Sequence, residues 1–427
     1  MSGSVAAAAS PLSEWWRWLR RPAFWMPVAD AFAVLTALTL PWSTSLVGIF
    51  SACWIGSSAM IVDYPAYFRS LKQPICAMPL ALFALAAIGT LWSDASWGTR
   101  LYTIGPAIKL LLLPGLFHHF ERSSRGMWVL VAFLVSCTLL MMVSWLVMFE
   151  PSLALKQDVP ERGIFVKNHI AQGQEFALCA VALAYPIYQL FRENRVRLAL
   201  LLCAVVLGLL ANMVFVVVSR TAIVTMPIML AVFAVLHLRW RTSMMVFAAV
   251  MVLASIGWAA SSQLRLTIHS FAREYQLYQE SNVPTSIGLR LEFWKKSLHF
   301  IREAPLAGHG TGSTRELFER VAVGAPESLA SGNVISNPHN QTLNVAVQWG
   351  VIGVVVLWAM WISHLLLFRG EGLVAWIGLL VVVQNIFTSL FNSHIFDFHE
   401  GWIYVIGVGV AGGMMLRQRA SGMGNPR

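Results

Sequence analysis

One stretch of the sequence decides the class of fold, and it covers residues 198–238: LALLLCAVVLGLLANMVFVVVSRTAIVTMPIMLAVFAVLHL. An α-helix needs about 20 apolar residues to cross a bilayer, so this stretch is too long for one crossing. It divides best at Ser219-Arg220-Thr221, where the apolar run is interrupted. The pattern therefore predicts two membrane helices that are joined by a very tight turn.

The rest of the chain has the same character, with 57% hydrophobic and only 12% charged residues. This composition excludes an ordinary soluble domain and indicates an all-α integral membrane protein. Apolar segments of sufficient length recur, and they predict about twelve transmembrane helices. Their approximate ranges are 24–41, 43–62, 74–93, 100–120, 126–149, 170–191, 198–218, 221–238, 243–262, 341–368, 373–392 and 400–416.

Basic residues predict the orientation, because the cytoplasmic links of membrane proteins are rich in Lys and Arg. The even-numbered links and both termini carry most of these residues, whereas most odd-numbered links are short and carry few. Both termini are therefore expected in the cytoplasm, and the first span is expected to be retained rather than cleaved as a signal peptide. The net charge of +10 mostly reflects this bias, so it calls for no nucleic-acid partner.

A long polar segment, 263–338, separates two groups of spans. We predict spans one to nine in residues 1–262, a large helical loop outside the cytoplasm in 263–338, and spans ten to twelve with a cytoplasmic tail in 339–427. The loop should hold two amphipathic helices and a third, short helix that opens with a capping box of Ser313 and Glu316. So few helices cannot form an independent core, and we expect them to lie on the membrane domain as a partial lid.

His339 lies where the long loop meets the tenth span, in the stretch Asn337-Pro338-His339-Asn340-Gln341-Thr342-Leu343. An imidazole titrates near neutral pH, so it can accept a proton from a sugar hydroxyl. The alternative is a histidine that caps the helix or is solvated at the membrane interface. Gly350 and Gly353 follow on the span and would allow close helix packing. We interpret His339 as the candidate base.

Arg220 and Arg290 are the candidate anion-binding residues. Arg220 lies at the tight turn between two spans, and Arg290 lies on the second helix of the loop. The predicted topology puts both on the same side of the membrane as His339. Either guanidinium can bind pyrophosphate oxygens through its planar fork. The alternatives are a snorkelling side chain for Arg220 and an exposed loop charge for Arg290.

Further ionisable residues lie in and beside the spans. The link 150–169 holds Arg162 and Lys167, and cations there run against the orientation bias, which suggests a ligand. Lys109 and Glu175 fall within predicted spans, where ionisable residues are costly and usually face a cavity or each other. A structural Lys109–Glu175 pair and a role in the site are both open.

The last external link holds four polar side chains: His394, Asp397, His399 and Glu400. One interpretation is a metal site, because carboxylates can hold a divalent cation on a pyrophosphate. A second is that Asp397 orients His339, as carboxylates orient catalytic imidazoles. The third is a polar interfacial link without a specific role. We predict no metal ion and no cofactor, since no external link contains an Asp-x-Asp motif.

The stretch His339-Asn-Gln-Thr-Leu343, with Gly350 and Gly353, resembles the motif of bacterial O-antigen ligases and their polymerase relatives. Ser219-Arg220-Thr221, Gly288-Leu289-Arg290 and Ala304-Pro305-Leu306-Ala307-Gly308-His309-Gly310 resemble the accompanying motifs, in the same order. The resemblance covers roughly residues 150–360 and the layout of the spans. The chain departs from it at Val166-Lys167-Asn168-His169, where relatives often have Asn-Pro-Asn.

The resemblance implies a C-type glycosyltransferase fold in the bacterial inner membrane, with a periplasmic active site. It implies transfer of an O-antigen glycan from undecaprenyl pyrophosphate to a sugar of the lipid A–core, without a nucleotide sugar. By motif, His339 would be the base, and Arg220 and Arg290 would bind the donor diphosphate. The other candidates are Asp397 for catalysis and Arg162, Lys167 and Asn340 for substrate binding.

Three alternatives remain open. An O-antigen polymerase, whose acceptor is another lipid-linked glycan, is the nearest, although the large loop favours the ligase. A protein O-oligosaccharyltransferase is the next. A transporter of lipid-linked sugars belongs to another class, and such proteins commonly have repeated halves and polar residues at mid-membrane. No repeat is visible in this sequence, and the ionisable residues concentrate at one face, which favours a one-sided enzyme.

Overall fold

The computed structural model describes residues 22–155 and 163–422, in which helices joined by turns are present and no strand is found. Short 3-10 turns cover Gly89–Leu91, Gly105–Leu111, Pro151–Leu153 and Ala330–Gly332. The helices, in chain order, are α1 (Pro22–Thr39), α2 (Thr44–Ala59), α3 (Tyr64–Ser70), α4 (Pro74–Ile88), α5 (Trp97–Ile104), α6 (Leu112–Arg122), α7 (Gly126–Phe149), α8 (His169–Ala182), α9 (Ala184–Arg192), α10 (Val196–Phe215), α11 (Arg220–His237), α12 (Trp240–Ala260), α13 (Ser262–Ser281), α14 (Ser286–Glu303), α15 (Thr314–Ala322), α16 (Gln341–Leu367), α17 (Leu373–Thr388) and α18 (Phe398–Ala420).

Seven helical segments of the described chain are long and apolar enough to cross a membrane. The number is eight if α2 and α3, which are bent by 118° to each other, count as one span. The protein is therefore a helical membrane protein, while the count of twelve spans stays a prediction. The seven segments are Pro74–Leu91, Trp97–Arg122, Gly126–Phe149, Val196–Phe215, Arg220–His237, Trp240–Ala260 and Gln341–Leu367.

The other predicted spans also contain helices, but these are shorter, broken or more polar. The apolar helices α1 and α17 fall short of a full crossing, and α8 and α9 are separated at Leu183. The last helix, α18, packs deep among its neighbours, and a side chain at Gly412 would overlap the ring of Phe117 on α6. The last helix is thus surrounded largely by other helices of the protein.

The long loop folds into α13, α14 and α15 and packs on a membrane helix. The first of these ends at Asn282, which adopts the left-handed conformation that terminates many helices. Phe293 and Phe300 of α14, Phe318 of α15 and Val347 of α16 form a small apolar core. Because α16 supplies part of that core, the loop helices are fixed to the membrane domain.

The predicted capping box at the start of α15 is wrong. Ser313 is already helical, with φ −65° and ψ −22°, so its side chain does not cap the helix. Its hydroxyl instead donates to the carbonyl of Gly310 at 2.8 Å. Glu316 accepts the main-chain N–H of Ser96 at 3.2 Å and so ties the loop to the α4–α5 connection.

A break in α16 anchors the loop a second time. Gly350 has φ +59° inside this helix, and the segment that follows α14 pairs with the opened main chain. The N–H of Val351 donates to the carbonyl of Pro305, and the N–H of His309 donates to the carbonyl of Val347, both at 2.9 Å. The glycine-rich segment 308–312 is therefore a turn that packs against a membrane helix. This docking fixes the loop relative to the start of α16.

Candidate active site

His339 lies two residues before α16, at the point where the loop enters the membrane domain. Its φ of +53° is in the left-handed region, which residues with a side chain seldom adopt. Its main-chain N–H donates to Oδ1 of Asn337 at 3.0 Å. On the other side, Oδ1 of Asn340 caps α16 by accepting the N–H of Leu343 at 3.0 Å. Two local hydrogen bonds therefore hold the main chain on either side of the imidazole.

Asn392 forms a hydrogen bond with the imidazole. Nδ1 of His339 lies 2.9 Å from Oδ1 of Asn392, and Nδ2 of Asn392 donates to Asp397 at 2.6 Å. The predicted orientation of His339 by Asp397 is therefore indirect, because Asn392 lies between the two side chains. Burial, and after it the neighbouring Glu400, raises the pKa of Asp397 to about 7. Asp397 thus carries only part of a negative charge at neutral pH.

The amide network decides which imidazole nitrogen carries the proton. Oδ1 of Asn337 accepts the main-chain N–H of His339 and the hydroxyl of Ser393, so its Nδ2 is free to donate to Oδ1 of Asn392 at 3.3 Å. Asn392 therefore presents its oxygen to His339, and an amide oxygen can only accept. The proton of the neutral imidazole must lie on Nδ1, which makes Nε2 the basic nitrogen.

The electrostatic surroundings keep His339 neutral. Burial lowers the pKa of the imidazole below its ordinary 6.5, the hydrogen bond to Asn392 opposes this effect, and the charge of Arg290 lowers the pKa further. A neutral imidazole at physiological pH is the form that can accept a proton. The same Arg290 is thus close enough to act on His339 electrostatically.

A cavity of about 620 Å³ lies between the ends of α8, α11, α13 and α14. Its walls are mostly apolar, and two arginines, Arg220 and Arg290, point their charges into it. We call it the arginine cavity. The apolar part of the lining includes Val224, Leu266, Phe271, Leu291 and Trp294. An amphiphile with an anionic headgroup fits such a combination of walls and charges.

Arg220 is held by α13. It is the first residue of α11, after the capping Ser219, and its guanidinium binds both carboxylate oxygens of Glu274, with Nη1 at 3.0 Å from Oε2. Its Nη2 also donates to Ser270 at 2.7 Å, and the group lies over the ring of Phe271. Burial alone would raise the pKa of Glu274, but the hydrogen bonds and charge of Arg220 outweigh it and lower the pKa.

Arg290 and Trp294 present unused donors to the arginine cavity. One turn apart on α14, they carry buried nitrogens, Nε and Nε1 respectively, without a hydrogen-bond partner among the described residues. Only Nη1 of Arg290 is engaged, by the hydroxyl and carbonyl of Ser286 at 2.7 and 3.1 Å. Buried donors without partners are costly, so they indicate a ligand with acceptor atoms.

A single helix connects the arginine cavity to His339. Phe293, next to Trp294 on α14, stacks on the imidazole with ring centroids 6.1 Å apart and planes 26° apart. Arg290 is one turn earlier on the same helix. The structure therefore brings Arg220, Arg290 and His339 into one neighbourhood, although His339 itself borders a different cavity.

Two of the other predicted binding residues, Lys167 and Asn340, are engaged in contacts within the protein. Lys167 is buried and bound to Glu175, with Nζ 2.6 Å from Oε1. The predicted Lys109–Glu175 pair is therefore wrong, and Lys109 donates instead to the main-chain carbonyl of Asp397. Asn340 uses its amide as a helix cap and as a donor to the carbonyl of Leu390 at 3.2 Å. Arg162 lies outside the described residues.

The last link does not assemble a metal site. Residues 22–155 and 163–422 contain no group of three or more His, Cys, Asp or Glu side chains that could hold a metal ion. His394 lies 3.9 Å from Asp397, and its Nε2 is 3.5 Å from the amide nitrogen of Gln174. The link serves instead to carry Asn392 to the imidazole.

Sequence reasoning missed three residues of this site: Asn392, Glu274 and Trp294. Asn392 is one of many polar residues near a span end, and only the fold brings it across 53 positions to His339. Glu274 faces Arg220 across 54 positions of the chain. Trp294 lies on the second amphipathic helix of the loop. Nothing in the sequence indicates that its indole N–H lacks a partner among the described residues.

Residues 205–358 match the family model that is described as O-antigen ligase. This part of the chain is therefore similar to the O-antigen ligase family. The matched range contains Arg220, Arg290 and His339. This family covers O-antigen ligases and polymerases, which are glycosyltransferase-like enzymes.

The chain is also similar to an uncharacterized protein of Haemophilus influenzae. The two are 32% identical over 79 residues, which is 18% of this chain and 20% of the relative. The chain thus matches about a fifth of that relative's length, and the similarity assigns no activity.

Proposed function

We propose that this protein belongs to the O-antigen ligase family and is the ligase itself. It transfers an O-antigen glycan from undecaprenyl pyrophosphate to a sugar hydroxyl of the lipid A–core, in the periplasmic leaflet of the inner membrane. The observation that carries the proposal is the pair of arginines that line an apolar cavity. One of them, Arg290, lies on the helix whose Phe293 stacks on a neutral imidazole. The partners are thus two amphiphiles and the surrounding membrane lipid.

The reaction is a single displacement at the anomeric carbon. Nε2 of His339 accepts the proton of the acceptor hydroxyl, and the acceptor oxygen attacks the anomeric carbon from the face opposite the diphosphate. The bond between the anomeric carbon and the diphosphate oxygen breaks, and its electron pair leaves with undecaprenyl diphosphate. A single displacement of this kind inverts the configuration of the anomeric carbon.

The arginine cavity supplies the stabilisation of the leaving group. Negative charge grows on the diphosphate during the reaction, and fixed cations in a site with apolar walls stabilise that charge strongly. The unpartnered donors of Arg290 and Trp294 are available to the diphosphate oxygens. Diphosphate is already a good leaving group, so neither a strong general acid nor a metal ion is required.

Glu274 has a defined part in this proposal. As a carboxylate bound to Arg220, it neutralises one of the two cationic side chains in the absence of the donor. A lipid diphosphate that enters the cavity finds one guanidinium paired and one with a free Nε. The donor therefore binds first to Arg290 and then shares Arg220 with Glu274.

The decisive experiment is transfer in vitro with purified protein, lipid-linked glycan and rough lipopolysaccharide, with and without EDTA. We expect transfer in both conditions and its loss in His339→Ala, with binding of undecaprenyl diphosphate retained. Arg220→Lys should weaken donor binding more than a conservative exchange usually does. A lysine ammonium cannot replace the planar guanidinium, which can donate to two acceptor oxygens at once. Transfer by His339→Ala at the wild-type rate would refute the proposed base.

The family match leaves polymerase activity as the second candidate. A deletion strain distinguishes the two. Long lipid-linked polymer accumulates when a ligase is missing, whereas a cap of one repeat unit remains when a polymerase is missing. Movement of labelled donor by the purified protein without a new glycosidic bond would instead indicate a transporter.

A further inference from the structure

A second cavity, of about 700 Å³, has His339 in its lining. It lies between α15 and the turn that leads into α16, and we call it the loop groove. His339 borders the loop groove, whereas the two arginines border only the arginine cavity. The polar side chains of the loop groove are Arg315, Glu319, Glu327, Asn333, Ser336 and Asn337.

The chemistry of the loop groove is that of a carbohydrate site. Carboxylate and amide oxygens accept hydrogen bonds from sugar hydroxyls, and amide, hydroxyl and guanidinium groups donate to them. Two carboxylates, Glu319 and Glu327, face a single guanidinium, that of Arg315. This balance disfavours a phosphate group and favours a sugar unit without one.

Hydrogen bonds connect several of the residues that line the groove. On α15, Nε of Arg315 donates to Glu319 at 2.9 Å. On the turn, Nδ2 of Asn333 donates to the carbonyls of Glu327 and Leu329 at 3.1 and 2.8 Å, so the rim has a defined shape. A preformed polar groove binds a saccharide at a lower entropic cost than a mobile loop would.

We propose that the loop groove holds the acceptor saccharide, as an unphosphorylated sugar unit whose hydroxyl meets Nε2 of His339. The inference rests on the proposed function, because it assigns the substrate of that same site. The donor's anomeric carbon is attached to the diphosphate in the arginine cavity. A base must contact the attacking hydroxyl, and His339 borders the loop groove, so the acceptor enters from the groove and the donor from the cavity.

Filling the groove tests this assignment. Ser336→Trp places a large ring in the groove at an exposed position, and Ser328→Trp, on the same turn but outside the groove lining, is the matched control. The probes are the delipidated core oligosaccharide of rough lipopolysaccharide, the released O-antigen glycan and undecaprenyl diphosphate. Binding to the detergent-solubilised full chain and the KM for each substrate are measured after the thermal stability of both variants has been matched to wild type.

We expect Ser336→Trp to weaken core oligosaccharide binding and raise the acceptor KM by about tenfold or more. Undecaprenyl diphosphate binding should stay unchanged, and Ser328→Trp should behave as wild type. Wild-type affinity of Ser336→Trp for the core oligosaccharide would overturn the proposal. Tighter binding of the released O-antigen glycan than of the core oligosaccharide would overturn it as well. Failure of the proposed function has a separate signature, since Arg290→Ala would then leave undecaprenyl diphosphate binding unchanged.

Discussion

The imidazole of His339 is positioned by amides rather than by charges. A residue with a side chain in the left-handed region costs on the order of 1–2 kcal/mol, and strain of this kind concentrates at functional sites. Asn337 and Asn340 offset that cost with hydrogen bonds to the main chain, and Asn392 fixes the ring. Because Asn392 carries no charge, it sets the proton on Nδ1 while raising the pKa of the ring less than a carboxylate would.

The pH dependence of transfer should reflect the lowered pKa of His339. The neutral imidazole is active, so the rate is kept at mildly acidic pH and falls only as the pH drops through a pKa below 6.5. Arg290→Ala removes one of the lowering causes, and the acidic limb of kcat should move to higher pH. Measurement of kcat at a saturating donor concentration separates this effect from donor binding. Arg302→Ala is the control, because Arg302 is exposed on the same helix. An acidic limb that does not move in Arg290→Ala would contradict the coupling.

Asn392 should prove to be a positioning residue. Asn392→Ala removes the acceptor of the Nδ1 proton, and we expect transfer to fall by about 10–100-fold with donor binding intact, since residues that orient a ligating or catalytic imidazole have effects of this size. Asn392→Asp keeps an acceptor but adds charge, which raises the pKa of His339. Its activity should therefore partly return, with the acidic limb at higher pH. Equal loss in both variants, with an unchanged pH profile, would mean that Asn392 serves only the fold.

Lys167 and Glu175 should stabilise the fold as a pair. Their side chains are 3% and 0% exposed, so removal of one partner leaves a buried charge uncompensated. Lys167→Met should lower the free energy of unfolding by about 3–5 kcal/mol, and Lys167→Met with Glu175→Gln should recover much of it. Thermal unfolding in detergent measures both. Transfer by the stable double variant then decides whether Lys167 also binds substrate.

The presence of the loop helices could be predicted from the sequence, but the break inside α16 could not. The two amphipathic helices predicted for the loop are present in the structure as α13 and α14. The break at Gly350 did not follow, because the apolar residues of α16 continue on both sides of it. The partners that require the break, Pro305 and Leu306, lie on another segment, and their carbonyls accept the N–H groups of Val351 and Ile352. Contacts between distant segments of this kind leave no periodic signal.

Gly350→Ala tests whether the break connects the loop to the site. A side chain there would be strained at φ +59° and would overlap the Leu306 carbonyl. We expect lower thermal stability and a loss of transfer, because the loop that carries Arg290 would lose its anchor. Gly324→Ala is the matched control, since Gly324 has a φ of +83° but open space around it. Equal stability of the two variants would show that strain alone, rather than the docked turn, sets the effect.

The three motif residues come together because of the arrangement of the molecule as a whole. Arg220, Arg290 and His339 could be proposed from the sequence, since each lies in a recognisable stretch on one predicted side of the membrane. Their carboxylate and amide partners, Glu274 and Asn392, depend on which helices pack together, and no spacing in the chain specifies that. The separation of the arginine cavity from the loop groove likewise depends on how the loop helices pack.

The orientation of the whole molecule is the last prediction. If the active site is periplasmic, α13 and the turn before α16 lie outside, while the basic turn between α9 and α10 lies in the cytoplasm. With the five native cysteines replaced, exposed positions serve as reporters: Glu280→Cys and Ser328→Cys for the loop, and Glu193→Cys for the turn. A maleimide that cannot cross membranes should label the first two in intact spheroplasts and the third only after permeabilisation. Labelling of Glu193→Cys in intact spheroplasts, with Glu280→Cys and Ser328→Cys labelled only after permeabilisation, would refute the periplasmic site, because the loop would then face the cytoplasm.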